Sequence, residues 1–276
     1  MHPVPDVQAV ADHPSILDGG HLWLIEAIDG LPMRFRVEAS GLCVFGDTDR
    51  EFDDVPPAFA AAARHVRTHL DRDALRRAAA DLPGITFVGV ATVRRAVDYD
   101  WGRLPPFVGT EVHSRHRGGF LPPDAVEQAY DGIDLTPSNA LRKEVRAADF
   151  HPDAFTFPDS AWYGGPVAGV RLRNKTGDRA ELTNPAVQPP ATPVAVERDP
   201  AELGRAWTTP ERVQAVRDRL AAQGTPADPD TVRDRVLETI HREEYWTIAH
   251  ADREIATESF RSAVGERVRA LLTADG

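Results

Sequence analysis

Runs of β-branched and aromatic residues recur along this chain as far as about residue 183 and then stop; from about residue 203 to the end, the apolar residues fall at helical spacing instead. That change of period reads as an α+β body followed by a small all-helical one. Between them lies AVQPPATPVAVERDP, within 186–202, whose prolines mark a linker. The expected domains are 1–195 and 203–276.

Inside the first body, HLWLIEAI and LPMRFRVEA (21–37) meet through Asp29-Gly30, and LCVFGD follows after Ser40-Gly41. This predicts an antiparallel meander with a hairpin turn at Asp29-Gly30. The stretch PPAFAAAARHVRTHLDRDALRRAAA (56–80) predicts one helix or two, opened by proline. GITFVGVATVRRAVDYDW and PPFVGTEVHS read as strands. A helix is expected from Asp124, and a second after Thr136-Pro137-Ser138, running through the charged LRKEVR. VAGVRLR and RAELT form a hairpin whose turn is Asn174 to Asp178. In the tail, Thr209-Pro210-Glu211 opens a helix, PADPD separates it from the next, and EEYWTIAHADREIATESFRSAVGERVRALL closes the chain. Trp207, Tyr245, Trp246 and Phe260 are the expected helical core.

The 276 residues are 42% hydrophobic, enough for a packed core, and carry a net charge of −11. A chain this acidic repels phosphate, so any nucleic-acid site has to be a local basic groove. Lysine occurs only at Lys143 and Lys175; the other 30 of the 32 cations are arginine. Scarce lysine with abundant aspartate fits a halophilic source, where molar salt cuts the Debye length to ~3 Å; it equally fits high-GC genome composition. The single cysteine, Cys43, precludes an intrachain disulfide and a thiolate metal cluster. The N-terminus lacks the basic start and apolar core of a signal peptide, and no apolar run approaches the ~20 residues of a membrane span. A cytoplasmic protein without a membrane partner is expected.

Four segments, in this order, resemble the motifs of ATP-dependent RNA ligases within the covalent nucleotidyltransferase superfamily. Glu26-Ala27-Ile28-Asp29-Gly30, with Arg34-Phe35 downstream, resembles Glu-Lys-x-Asp-Gly. FVGVATVRRAVDYDW (87–101) resembles a strand reading Phe-x-Gly-Glu. PPFVGTEVHS (105–114) resembles the strand that supplies an aromatic lid to the adenine. VAGVRLRNKTGDRAEL (167–182) resembles Glu-Gly-Val-Val-x-Lys/Arg, a hairpin turn, then Arg-Ala-Lys-Leu. The tail, with WTTPERVQAVRDRLAAQG (207–224), resembles the C-terminal domain of some RNA ligases. The resemblance implies a nucleotidyltransferase fold of antiparallel sheets with flanking helices, ATP and Mg²⁺ as cofactors, and RNA ends as substrate.

The departures fall on the chemistry. The family's lysine attacks the α-phosphate of ATP through its amine; the matching residue is Ala27. The ribose-holding carboxylate matches Val90, and the glutamate tied to metal and phosphate chemistry matches Ala168. The lysine that neutralises the α-phosphate matches Glu181, and the stacking aromatic matches Thr110. At Glu181 alone, a unit-charge interaction of ~4 kcal/mol at an effective dielectric of 20 changes sign. Arginine, protonated near neutral pH, is no replacement nucleophile. Lys175 is expected at a solvated hairpin tip and Lys143 on a charged helix.

What remains are residues with a binding reading beside a structural one. Glu26, Asp29 and Gly30 either shape a site or make a turn. Arg171, Arg173 and Arg179 alternate along the hairpin arms, as Arg34 and Arg36 do earlier; they form either a basic strip for a nucleotide or RNA backbone, or a solvated face. His113 and His116 in EVHSRHRGG lack a third ligand of clear type, so no metal site is expected. The expected function is a degenerate RNA-ligase-like protein, a pseudoenzyme that does not adenylate itself and retains a nucleotide, RNA-end or partner-binding role. The alternatives are a ligase acting on pre-adenylated ends and a structural or protein-interaction module.

Overall fold

Asp29-Gly30 does not close a hairpin; it carries the chain from one β-sheet to another. The protein is described here by a computed structural model covering residues 1–79, 81–188 and 198–274, so most of the expected linker, at 189–197, lies outside the described residues. The fold is α+β, with two compact units: Met1–Thr92 with Ala96–Pro189, and Val93–Arg95 with Pro190–Gly276.

Among the described residues the first unit holds ten strands: β1 (Gln8–Ala9), β2 (His21–Glu26), β3 (Leu31–Val37), β4 (Cys43–Gly46), β5 (Ile85–Ala91), β6 (Phe107–Ser114), β7 (Gly119–Phe120), β8 (Ala140–Arg146), β9 (Gly169–Arg173) and β10 (Arg179–Thr183). They form two five-stranded sheets, ordered β1-β10-β9-β2-β8 and β4-β3-β5-β6-β7. All pairings are antiparallel except β1 with β10. Helices α1 (Pro57–His69), α2 (Arg72–Ala78) and α3 (Pro123–Asp131) complete the unit.

Period-two alternation gives each sheet an apolar face. In the first sheet, Leu22, Leu24, Val170, Leu172 and Ala180 pack with Val10, Ile16 and Phe150. In the second, Met33, Phe35, Phe45, Phe87, Phe107 and Val112 pack under the helices against Ala62, Val66, Leu75 and Tyr130. The other faces are turned toward each other.

Two expectations fail here. The meander is limited to β3 and β4, because β2 pairs with β8 and β9 while β3 pairs with β4 and β5. The segment after Ser138 is the edge strand β8, not a helix. Its apolar residues, Leu141 and Val145, are spaced by four, a spacing that both periods satisfy, and both pack on the first sheet's core. Pairing with β2 decides between them, with an irregularity marked by the positive φ of Glu144.

A bulge in β6 joins the sheets. Val88 pairs with Glu111 but Gly89 pairs with Gly109, leaving Thr110 as an extra residue. The extra residue reverses the alternation, so Glu111 points between the sheets rather than into the helix-covered core. There it meets Arg173 of β9 at 2.9 Å, each side chain only 1% exposed, and Arg179 at 3.6 Å. Arg173 also donates to the Leu121 carbonyl, and the Arg179 guanidinium lies 4.7 Å from the centre of the Phe120 ring. The bulge rests on Tyr130, whose hydroxyl lies 2.8 Å from the Val88 oxygen and 3.1 Å from that of Glu111. A Cβ at residue 109 would sit 2.3 Å from that ring, so the position requires glycine.

The second unit contains α4 (Pro200–Trp207), α5 (Pro210–Ala222), α6 (Pro229–Glu243), α7 (Tyr245–His250) and α8 (Glu258–Ala274). Three helices open on one signal: Asp199, Thr209 and Asp228 accept first-turn N–H bonds, and each precedes a proline at the first helical position. The closing segment is split into α7 and α8 by the non-helical stretch 251–257. Of the four aromatics, Phe260 is fully buried with Val236, Ile240 and Val264, and Trp207 packs on that core; Trp246 instead stacks on His250 at 3.8 Å. His241 is buried beside Phe260.

Two predictions follow from these buried charges. Arg173→Met leaves Glu111 without its closest partner and should lower stability by about 3–5 kcal/mol in urea unfolding, whereas Arg173→Met with Glu111→Leu should recover most of that loss. Burial, and after it the charge of Arg261, pushes the His241 imidazole down to about 4. Its unfolded value is near 6.5, so its neutral form supports the fold fully above that pH. As pH falls toward 4, only the unfolded chain takes up the proton, and about 3 kcal/mol is lost. The difference in unfolding free energy between wild type and His241→Gln should shift by that amount between pH 7 and pH 4.

Candidate functional site

The segment 26–30 lies where β2 ends and the chain crosses between the sheets. Glu26 is buried, and its carboxylate accepts from Ser160 Oγ at 2.5 Å, Asn139 Nδ2 at 3.3 Å and the Ala161 N–H at 3.3 Å. Ala27 donates its N–H to the Gly169 carbonyl at 3.0 Å, and its methyl lies 3.5 Å from where a Cβ on Gly169 would stand. Asp29 clamps a loop: its Oδ2 accepts from the N–H groups of Ala96 and Val97 at 2.6 and 3.2 Å, and its own N–H donates to Tyr99 Oη at 2.9 Å. At Gly30 a Cβ would sit 2.5 Å from Val90 Cγ1 and 2.7 Å from the Ala91 oxygen. Only glycine fits there.

Three of the five positions read in the sequence as altered motif residues gather around this segment. Ala27 abuts Gly169, Val90 abuts Gly30, and Ala168 packs with Ile28 on a cluster formed by Val97, Tyr99, Leu104 and Val108. Glu181 is level with Arg171 on β9, which in turn is level with Ile25 on β2. Its carboxylate pairs with Arg171 at 3.2 Å.

Each arginine singled out in the sequence makes an internal contact. Arg34 is buried and donates to the His2 carbonyl at 2.9 Å. Arg36 pairs with Glu38 and Glu51. Arg171, Arg173 and Arg179 are held by Glu181 and Glu111. Thr110 donates its hydroxyl to the Val88 carbonyl, and His113 stacks on His2 at 3.5 Å. Among the described residues, no group of three acidic, histidine or cysteine side chains is placed to hold a metal.

Neither lysine offers a free amine. Lys143 lies 2.6 Å from Glu127, and Lys175 lies 2.8 Å from Glu144, whose hydrogen bond raises the Lys175 pKa. Burial raises the Tyr99 phenol well out of the range where it would ionise, and raises that of Tyr163 as well.

Sequence reasoning missed two features. Glu111 carried a signal, a carboxylate in the middle of an apolar strand. The aromatic wall also went unread: Trp101, Trp162 and Tyr163 pack around Tyr99, Ile28 and Ala168. Tyr99 and Tyr163 meet edge to face at 5.4 Å. The stretch SAWYGG that supplies half of this wall gave only its aromatic content as a clue.

ATP with Mg²⁺, the pair that the motif resemblance implies, does not fit this donor set. Residues 27, 90 and 168 present a methyl, an isopropyl and a methyl, and the carboxylate of Glu181 would face a phosphate with like charge. No protein-family model and no curated protein matches the sequence. Solved structures of an RNA ligase from Naegleria gruberi do resemble this chain. The form with PPi has a TM-score of 0.50 at 11% identity, a lysine-to-alanine variant with ATP and Mn 0.51 at 12%, and an apo variant 0.52 at 12%. In each case 67% of this chain matches 56% of the ligase, so the likeness spans little more than half of that protein's length. At such identity it is a likeness of fold: two sheets with flanking helices, arranged as in that RNA ligase.

Proposed function

We propose that this protein is a catalytically silent RNA-ligase-like module, which does not form a covalent adenylate and which acts by binding. The observation that carries the reading is Ala27. Its backbone is fixed to Gly169 and its side chain is a methyl, while both lysines of the chain are engaged by carboxylates elsewhere. Covalent nucleotidyl transfer through nitrogen needs an amine next to the α-phosphate, and none is supplied here.

Among binding partners, the engaged arginines favour a protein over RNA. A phosphate backbone is held by free cations, and the arginines expected to form the strip are engaged by Glu111, Glu181, Glu38, Glu51 and the His2 carbonyl. The net charge of −11 acts in the same direction. Sealing of pre-adenylated RNA ends remains the enzymatic alternative. It needs charge stabilisation at the phosphate, which Val90, Ala168 and Glu181 do not offer.

Intact mass after incubation with ATP and Mn²⁺ should be unchanged for the wild type. It should stay unchanged for Ala27→Lys, because one amine does not rebuild the rest of the phosphate site. A gain of one AMP by the wild type would end this reading. With adenylated RNA and Mg²⁺ no joined product is expected, and fluorescence anisotropy should show no RNA affinity that rises as salt is lowered.

A further inference from the structure

The helix-covered face of the second sheet is not completely filled. A cavity of about 600 Å³ opens between α2, α3 and strands β5 and β6, within the ~300–1,000 Å³ of small-molecule sites. Its floor is apolar: Leu75, Ile85, Phe87, Val112, Leu121 and Ile133. The walls explain why space remains. On α3, Val126 and Tyr130 form one stripe and pack onto the sheet, while Ala125 and Ala129, four apart, form the next stripe and line the cavity. Ala78 and Ala79 do the same at the end of α2. Methyl groups at these four places leave room that leucines would occupy.

The mouth has a definite charge. It is formed by Asp81, Ser114, His116, Arg117 and Gln128. Asp81 is neutralised by Arg115, whose guanidinium reaches it at 2.8 Å. Arg117 makes its bond to Ser114 through its backbone N–H alone, and its guanidinium has no protein partner among the described residues. His116 lines the same mouth. On a chain of net charge −11, the rim of an apolar cavity is thus left with one uncompensated cation. This is the EVHSRHRGG stretch, which no part of the proposed function uses.

We infer that this cavity binds a small apolar carboxylate as a free monomer, its hydrocarbon body against the half-buried Ile85, Leu121, Ala125 and Ala129 and its carboxylate at Arg117. The apolar floor supplies the affinity through burial, and the guanidinium supplies the selection for an anion, which it engages with paired N–H donors. The site lies on the helix-covered face of the sheet, opposite the face bearing Val90, and is independent of whether residues 26–30 bind anything.

The test is isothermal titration of the full chain with decanoate below its micellar concentration, with decylammonium as the charge-inverted probe. Saturable binding of one decanoate is expected, and none of decylammonium. Ala125→Phe, which fills the cavity from its wall, should abolish the binding. Arg117→Glu, at an exposed position that leaves the core untouched, should weaken it about tenfold. Absence of saturable decanoate binding, equal binding of decylammonium, or indifference to either substitution would overturn the assignment.

Discussion

The body of this protein is organised around one ion pair between two sheets. Arg173 and Glu111 are each 1% exposed and stand 2.9 Å apart. Removing both charges from water is costly, and the cost is offset only while the two strands that carry them hold a fixed separation. Burial disfavours the charged form of both partners, and each holds the other's charge in place. Several local features exist to deliver Glu111 there. The extra residue Thr110 turns it inward, Gly109 admits Tyr130, and the Tyr130 hydroxyl reaches the Val88 and Glu111 carbonyls at the bulge. None of these makes sense singly, and together they fix the register in which the sheets face each other.

That arrangement has a consequence for chemistry. Arginines projecting between two sheets look like a phosphate-binding strip when only the sequence is seen. Here Arg173 and Arg179 are consumed in holding the two sheets together, and Arg171 is paired with Glu181 within its own sheet. The same applies to the motif-like residues of the crossing segment. Glu26 is satisfied by Ser160, Asn139 and Ala161, Asp29 pins the 96–99 loop, and Gly30 is dictated by Val90 and Ala91. Each has a complete structural reason to be what it is. Their presence therefore needs no catalytic explanation, which is consistent with the methyl at Ala27.

How much of this was legible in the sequence follows from the kind of interaction involved. Elements set by local pattern were readable: the β9–β10 hairpin with its Asn174–Asp178 turn, α3 beginning next to Asp124, and the helix announced by Thr209-Pro210, while the last two residues of the expected separator PADPD already belong to the next helix. Elements set by pairing were not. Leu141 and Val145 satisfy a helix and a strand alike, and only the neighbouring β2 selects the strand. Whether Asp29-Gly30 reverses the chain or carries it to another sheet depends on contacts with residues 90–99, about sixty or more positions away. The site followed the same rule. Residue types could be read one position at a time, but the internal partners of the arginines could not.

The two faces of the second sheet have opposite fates, and the difference lies in side-chain volume. Around Ile28 and Ala168, near the face that carries Val90, tyrosines and tryptophans occupy the space, with Tyr99 and Leu104 almost wholly buried. Large side chains there give rigidity. On the face beneath the helices, four alanines line a gap above aromatic and branched floor residues. A close-packed interior does not tolerate such a gap without loss of dispersion contacts. A fold that spends aromatic volume on one side of a sheet while withholding it on the other has its room for a small molecule under α2 and α3, away from the place where the resemblance to ligases directs attention.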